Sequence, residues 1–206
     1  MDPLKKNLIP ENKTGKATDV EHSAKLDSRE EAVDTFNRAC KRLLNINIWH
    51  ELSGFGSATF SLRDQNGKEA SRLANMGDYI RIDIPGPGPL AGDGYDWVQV
   101  EEIEDRTNDA AEDESFGMRL RSCKNPNKPG KDVAHFFTGD ATSTFIIKRN
   151  NNKVYSSYHG RNEVLNTDTE KLADTIRNAI VGGGAVIGIS ELQWSRLIHS
   201  FLEKEV

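Results

Sequence analysis

Residues 77–84 read GDYIRIDI and contain the clearest strand pattern of the chain. Ile80, Ile82 and Ile84 alternate with polar side chains, and this period of two predicts a strand with one face against a core. Proline and glycine fill positions 85–89, where they would end the strand because proline has no N–H to donate to a central ladder. The segment therefore predicts a sheet with one apolar and one polar face.

The same alternation recurs on both sides of this segment. Further strands are predicted at 58–62, 95–104, 116–121, 141–149 and 153–160. Asn-Gly at 66–67 and three asparagines at 150–152 predict tight turns, since both residue types tolerate positive φ. Strands that follow one another through short turns pair antiparallel.

The strands at 95–104 and 116–121 are expected to pair. Arg119 and Arg121 would then lie across from Gln99 and Glu101 on the outer face, and the intervening apolar residues would meet inside. Ten acidic residues and one basic residue occupy 93–114, whereas nine basic and two acidic residues occupy 115–161. Cross-strand ion pairs would account for part of this asymmetry without a ligand.

Capping boxes, which satisfy the first N–H groups of a helix, mark the predicted helix starts. They are Ser28 with Glu31, Thr167 with Glu170, and Ser190 with Gln193. We therefore predict an α+β fold: a mostly antiparallel six- to seven-stranded sheet closed as a small barrel, one N-terminal helix and two C-terminal helices. The alternative is an open sheet that grips the C-terminal helix.

The domain prediction follows from where periodicity is present. Residues 1–27 are polar without visible periodicity, so we expect a flexible polar arm. Residues 28–206 are expected to form a single α+β domain. Its β-rich body covers about 46–161, and its C-terminal helical pair about 168–204.

Composition restricts the class of protein. The chain has 206 residues, a net charge of −5 and two cysteines, which does not suggest a dedicated nucleic-acid binder or a disulfide framework. It begins without an apolar signal segment and contains no apolar run long enough to span a membrane. We expect a cytoplasmic protein.

The densest polar cluster is His159, Arg161 and Glu163, directly after a predicted strand. Arg161 offers a forked donor for a carboxylate or phosphate, and His159 a titratable group. The alternative, which we favour, is a loop held by contacts of Arg161 with Glu163 or with the acidic loop. Asp93 and Trp97, beside a loop rich in proline and glycine, form a second candidate binding rim.

No catalytic motif is recognisable in the chain. If the protein is an enzyme, His135, Asp140 and His159 are the candidates, because strand ends could bring them together as an acid–base or metal-binding set. We favour ordinary surface histidines and predict neither a metal site nor a cofactor.

Three functions stay open. The first is a non-catalytic binding or assembly module with a protein partner or a second copy, since charge blocks of opposite sign suit association. The second is a carrier of a small apolar ligand between sheet and helix. The third is a hydrolase or lyase.

Overall fold

The computed structural model describes residues 3–54, 58–84, 90–128, 130, 132–166 and 185–204. These ranges contain seven strands: β1 (Lys16–Lys25), β2 (Thr59–Arg63), β3 (Tyr79–Asp83), β4 (Asp96–Arg106), β5 (Asp113–Ser122), β6 (Thr142–Asn150) and β7 (Lys153–Glu163). They form one antiparallel sheet in the order β1-β7-β6-β5-β4-β3-β2.

The described helices are α1 (Pro3–Leu8), α2 (Arg29–Leu44), α3 (Trp49–Ser53) and α4 (Ala185–Leu202). Single 3₁₀ turns occur at Ile46–Ile48 and Leu90–Gly92. The helix predicted after Thr167 lies outside the described residues. Among the described helices, none combines the length and the apolar character needed to cross a membrane.

The start of α2 is confirmed, because Ser28 Oγ accepts a hydrogen bond from the Glu31 N–H at 3.1 Å. The start predicted at Ser190 was wrong. The described part of helix α4 already includes Ala185, so Ser190 lies inside the helix.

The α+β class and the antiparallel seven-stranded sheet are confirmed. The closed barrel is not: β1 and β2 form opposite edges, and within the described ranges no bridge joins them. Strand β1 adds to β7 on the side away from β2, so the sheet widens instead of closing. The alternative prediction holds, since Leu197, Ile198 and Phe201 of α4 lie in the core with the sheet.

The N-terminal segment differs from the predicted arm. Residues 16–25 form edge strand β1, paired with β7 from end to end. Helix α1 packs on the outer face of the sheet, where Leu4 and Leu8 are fully buried with Ile146. Gly117 makes this contact possible, because a Cβ there would overlap the Leu8 side chain.

The core lies on the other face, between the sheet and helices α2, α3 and α4. Trp49 is fully buried at its centre. Its ring centroid lies 5.4 Å from that of Phe60, 5.2 Å from Phe145 and 6.5 Å from Trp194 of α4. Aromatic rings thus join helices α3 and α4 to the sheet.

The predicted pairing of β4 with β5 is confirmed. Val100 lies opposite Leu120, and Gln99 opposite Arg121. A bulge between residues 100 and 102 leaves Glu101 without a directly opposed residue. Its carboxylate accepts from Arg119 Nε at 2.7 Å and from Arg121 Nε at 2.7 Å. The acidic and basic segments therefore neutralise part of each other's charge within the sheet.

Candidate functional site

Strands β1, β7 and β6 gather polar side chains on the outer face of the sheet. Asp19 of β1 lies opposite His159 of β7. Two positions along β7, Ser157 lies between Glu21 of β1 and Ile146 of β6. Directly opposed residues of neighbouring strands project to the same face, so these side chains share one surface.

His159 connects a carboxylate to a hydroxyl. Its Nδ1 lies 2.5 Å from Asp19 Oδ1, and its Nε2 lies 3.1 Å from Ser157 Oγ. Arg161 Nη2 donates to the same Asp19 oxygen at 2.8 Å. The side chain of His159 is only 9% exposed, so neighbouring side chains fix its orientation.

The charge states of this network follow from its surroundings. Partial burial alone would raise the pKa of Asp19, but hydrogen bonds from Arg161 and His159 outweigh it and hold that pKa below its usual value. Burial lowers the pKa of His159, and the opposing influence of Asp19 does not restore it. A neutral imidazole beside an ionised carboxylate donates from Nδ1, so Nε2 is left to accept the Ser157 hydroxyl.

Glu163 belongs to a separate group on the helix-facing side. It accepts from Tyr158 Oη at 3.3 Å and from Thr18 Oγ1 at 2.8 Å. Gly160 leaves room for it, because a Cβ at that position would overlap the Glu163 carboxylate. The favoured contact of Arg161 with Glu163 or with the acidic loop was therefore wrong: the guanidinium donates to Asp19 on the outer face.

A groove of about 360 Å³ lies next to His159 on the outer face. Its lining is Lys5, Glu21, Ile146, Lys148, Asn150, Tyr155 and Ser157. Helix α1 contributes Lys5, whose Nζ lies 3.5 Å from Glu21 Oε2. Ser157 lines the groove and also contacts His159, so it joins the cavity to the polar network.

Asp93 and Trp97 do not belong to this site. Trp97 is 3% exposed, and its Nε1 donates to the Gly92 carbonyl at 3.3 Å. Asp93 forms an ion pair with Lys128 and accepts from Asn125 Nδ2 at 3.3 Å. A small cavity of about 80 Å³ lies among the neighbouring loops. Of the two residues of the predicted rim, Trp97 is therefore buried, and Asp93 stabilises a loop.

His135 has a different environment from His159. Its Nδ1 accepts from the Phe137 N–H at 2.9 Å and lies 4.0 Å from Asp96 Oδ1. Both His135 and Asp96 are nearly fully buried, at 6% and 3% exposed. The interpretation of the histidines as ordinary surface residues was wrong for His135 and His159, because loop and strand neighbours cover both rings.

The contacts of Asp140 also differ from those of the two histidines. Its carbonyl accepts from Arg121 Nη1 at 3.3 Å. His135, Asp140 and His159 thus have separate partners. Among the residues with described positions, no three histidine, cysteine or acidic side chains gather where they could hold a metal ion.

Sequence reasoning missed Asp19, Ser157, Lys5 and Lys148. A usable signal for Ser157 was its place two residues before His159, which puts both side chains on one strand face. Asp19 and Lys5 lie in the segment that was predicted to be an arm, and only strand pairing shows their relation to β7.

Aromatic rings lie between the sheet and the described part of α4. The Trp194 ring stacks on the Tyr158 ring, with centroids 5.3 Å apart, and meets that of Phe145 at 5.4 Å. A ligand between sheet and helix stays a prediction.

No protein-family model and no curated protein matches the chain. Among solved structures, the hypothetical protein jhp0584 from Helicobacter pylori is 16% identical, over 94% of this chain and 92% of that one, with a TM-score of 0.48. Protein Ms6760 from Mycobacterium smegmatis is 14% identical, over 91% and 92%, with a TM-score of 0.37. Norcoclaurine synthase from Thalictrum flavum, solved with dopamine and hydroxybenzaldehyde, is 8% identical, over 86% and 85%, with a TM-score of 0.34. These likenesses are too distant to indicate a function.

Proposed function

We propose that the protein is a binding module for small organic carboxylates, which it holds in the groove on the outer face of β1, β7 and β6. One observation carries this proposal: the groove combines the lysines Lys5 and Lys148 with the apolar surfaces of Ile146 and Tyr155. A carboxylate attached to a short apolar or aromatic group matches that combination.

The size and charge of the groove support such a ligand. A volume of about 360 Å³ lies at the lower end of the range for small-molecule sites. The groove is lined by two lysines and one carboxylate, that of Glu21, so its lining has a net positive charge. The contact of Lys5 with Glu21 joins two half-exposed side chains and is weak enough to yield to a ligand.

The experiment uses 1-naphthaleneacetate as the probe. Binding is followed by ¹⁵N-labelled NMR spectra and by calorimetry, and we expect a Kd of about 0.1–1 mM with shifts confined to residues around the groove. Lys148→Met should weaken binding about 5- to 10-fold because it removes a charged partner of the carboxylate. Lys41→Met, on the exposed side of α2, is the matched control and should leave the Kd unchanged.

Two results would contradict the proposal. One is the absence of any shift at Ile146 or Tyr155 with saturating probe. The other is equal affinity for the neutral analogue 2-(1-naphthyl)ethanol, since the lysines would then contribute nothing.

A further inference from the structure

We infer that Ser157, His159 and Asp19 form a nucleophile, base and orienting carboxylate that hydrolyse small esters bound in the groove. This inference rests on the proposed function, because the groove must first hold the substrate. It goes beyond binding, because it assigns a covalent step to Ser157.

The order of the contacts is the one that nucleophilic catalysis needs. Ser157 Oγ lies 3.1 Å from His159 Nε2, and Asp19 Oδ1 lies 2.5 Å from the other ring nitrogen. A base within hydrogen-bond distance can remove the hydroxyl proton, and a carboxylate on the far side fixes the tautomer and supports the imidazolium that forms. The roles are set by geometry and do not depend on the order of the residues along the chain.

Neighbouring strands hold the three side chains. Ser157 and His159 are two residues apart on β7, and Asp19 lies opposite His159 on β1. Arg161 adds a further constraint, since its second nitrogen, Nη1, donates to the Thr18 carbonyl at 3.2 Å while Nη2 holds Asp19. Sites on paired strands are held more precisely than sites on loops.

Ser157 is shielded from bulk solvent but is accessible from the groove. It is only 3% exposed, yet it lines the groove. The neighbouring Ser156 is fully buried on the opposite face and packs toward the core. The strand therefore provides two adjacent serines, of which only Ser157 faces both the groove and a base.

The reaction balances with water as the second reactant. Ser157 Oγ attacks the ester carbonyl carbon while its proton passes to His159 Nε2. The carbon–oxygen bond to the alcohol then breaks, and the leaving oxygen takes that proton. Water next attacks the acyl-Ser157 carbonyl and gives a proton to Nε2, and the proton returns to Ser157 Oγ as the carboxylic acid leaves.

Positive charge is available for the oxygen that becomes negative during each attack. Lys5 and Lys148 line the groove together with Ser157. Cations close to a developing oxyanion lower the barrier. The charged groups that act on His159 are Asp19 from β1, Lys5 from α1 and Arg161 from β7 itself.

A fluorophosphonate probe tests the nucleophile directly. Ser157 Oγ would form a bond to phosphorus and displace fluoride, and the hydroxyl proton would pass to His159. We expect peptide mapping to locate the label on Ser157, and hydrolysis of 1-naphthyl acetate to proceed above the rate in buffer. Ser157→Ala should abolish both, whereas Ser156→Ala should change neither. His159→Gln should slow labelling by about 100-fold or more.

Asp19 acts as a positioning residue, so its test is a pH profile. Labelling should increase as His159 loses its proton, and Asp19→Asn should move the midpoint to lower pH because the carboxylate favours the imidazolium. An unmoved midpoint would contradict the role of Asp19.

Two further measurements separate catalysis from binding and from misfolding. His159→Gln changes a residue outside the groove lining and should still bind 1-naphthaleneacetate, so slowed labelling with retained binding supports the catalytic role. Ser157→Cys should react with iodoacetamide at position 157 faster than the native thiols, since burial raises the pKa of Cys40 and raises that of Cys123 to about 12. A folded wild-type protein that binds 1-naphthaleneacetate but takes up no fluorophosphonate at Ser157 would overturn the inference and leave the binding proposal intact.

Discussion

His135 and Asp96 form a buried pair in which we expect both side chains to be uncharged. The pH dependence of the unfolding free energy tests this expectation. Burial raises the pKa of Asp96 to about 7 and lowers that of His135 to about 3. Each group has a backbone donor as its partner: the Phe136 N–H for Asp96 Oδ1 at 2.7 Å, and the Phe137 N–H for His135 Nδ1 at 2.9 Å. We expect both side chains to be uncharged in the folded protein over most of the interval between those pKa values.

The sign of the pH dependence follows from counting protons. From about pH 4 to 6.5 the unfolded chain carries one proton on the histidine and none on the aspartate. The folded chain carries one on the aspartate and none on the histidine, so the pair adds no pH dependence in this range. Asp96→Asn removes that compensation, and only the unfolded chain then gains a proton as the pH falls below 6.5.

The expected magnitude is large. The variant should lose about 1.4 kcal/mol of unfolding free energy, relative to wild type, for each pH unit below 6.5. The difference reaches about 3.5 kcal/mol near pH 4, below which wild type also loses stability because its unfolded aspartate takes up a proton. His135→Asn should behave oppositely: it leaves Asp96, whose folded pKa is raised, so stability is lost as the pH rises from about 4 to 7.

Urea denaturation between about pH 4.5 and pH 7 measures both variants against wild type. The difference from wild type cancels the contributions of all other titrating groups. Slopes of opposite sign would support the neutral pair. A difference for Asp96→Asn that is independent of pH would refute the reasoning, because His135 would then not be held uncharged.

Three stability predictions concern other parts of the fold. Gly117→Ala should cost about 1–3 kcal/mol through overlap with Leu8 and speed hydrogen exchange in α1; unchanged exchange would contradict that contact. Glu114→Gln should cost about 3–5 kcal/mol in urea denaturation, because Arg149 Nε donates to Glu114 Oε1 at 2.6 Å and both side chains are fully buried. Adding Arg149→Met should recover much of that loss, and no recovery would argue against an unpaired charge as its cause. Ser28→Ala should cost about 1 kcal/mol by removing the cap of α2, and a thermal midpoint equal to that of wild type would contradict this.

The strands that were predicted correctly alternate apolar and polar residues, and their apolar side is buried. Ile80 and Ile82 lie in the core, and the pairing of Val100 with Leu120 followed from the same alternation on β4 and β5. The turn at 150–152 was predictable because Asn151 adopts a φ of 51°. In each case the signal lies within the segment itself.

The candidate site was less predictable because its parts are remote in sequence. Strand β1 has small and polar residues on its buried side, such as Thr18 and Ala24, so its alternation carried little apolar signal. Glu101 contacts two arginines only because a bulge shifts the register of β4. His159 was identified as a candidate from the sequence, but its partner Asp19 follows from the position of β1 in the sheet.

The partnership between β1 and β7 also affects the order in which the chain can fold. Strands β4 to β7 are joined to their neighbours in sequence, whereas Asp19 and His159 are 140 positions apart. Contacts between distant positions raise the contact order and form late, because a long loop must close first. Until β1 arrives, the edge of β7 is unpaired and can accept a strand from another molecule. We therefore expect refolding to become less efficient at high protein concentration.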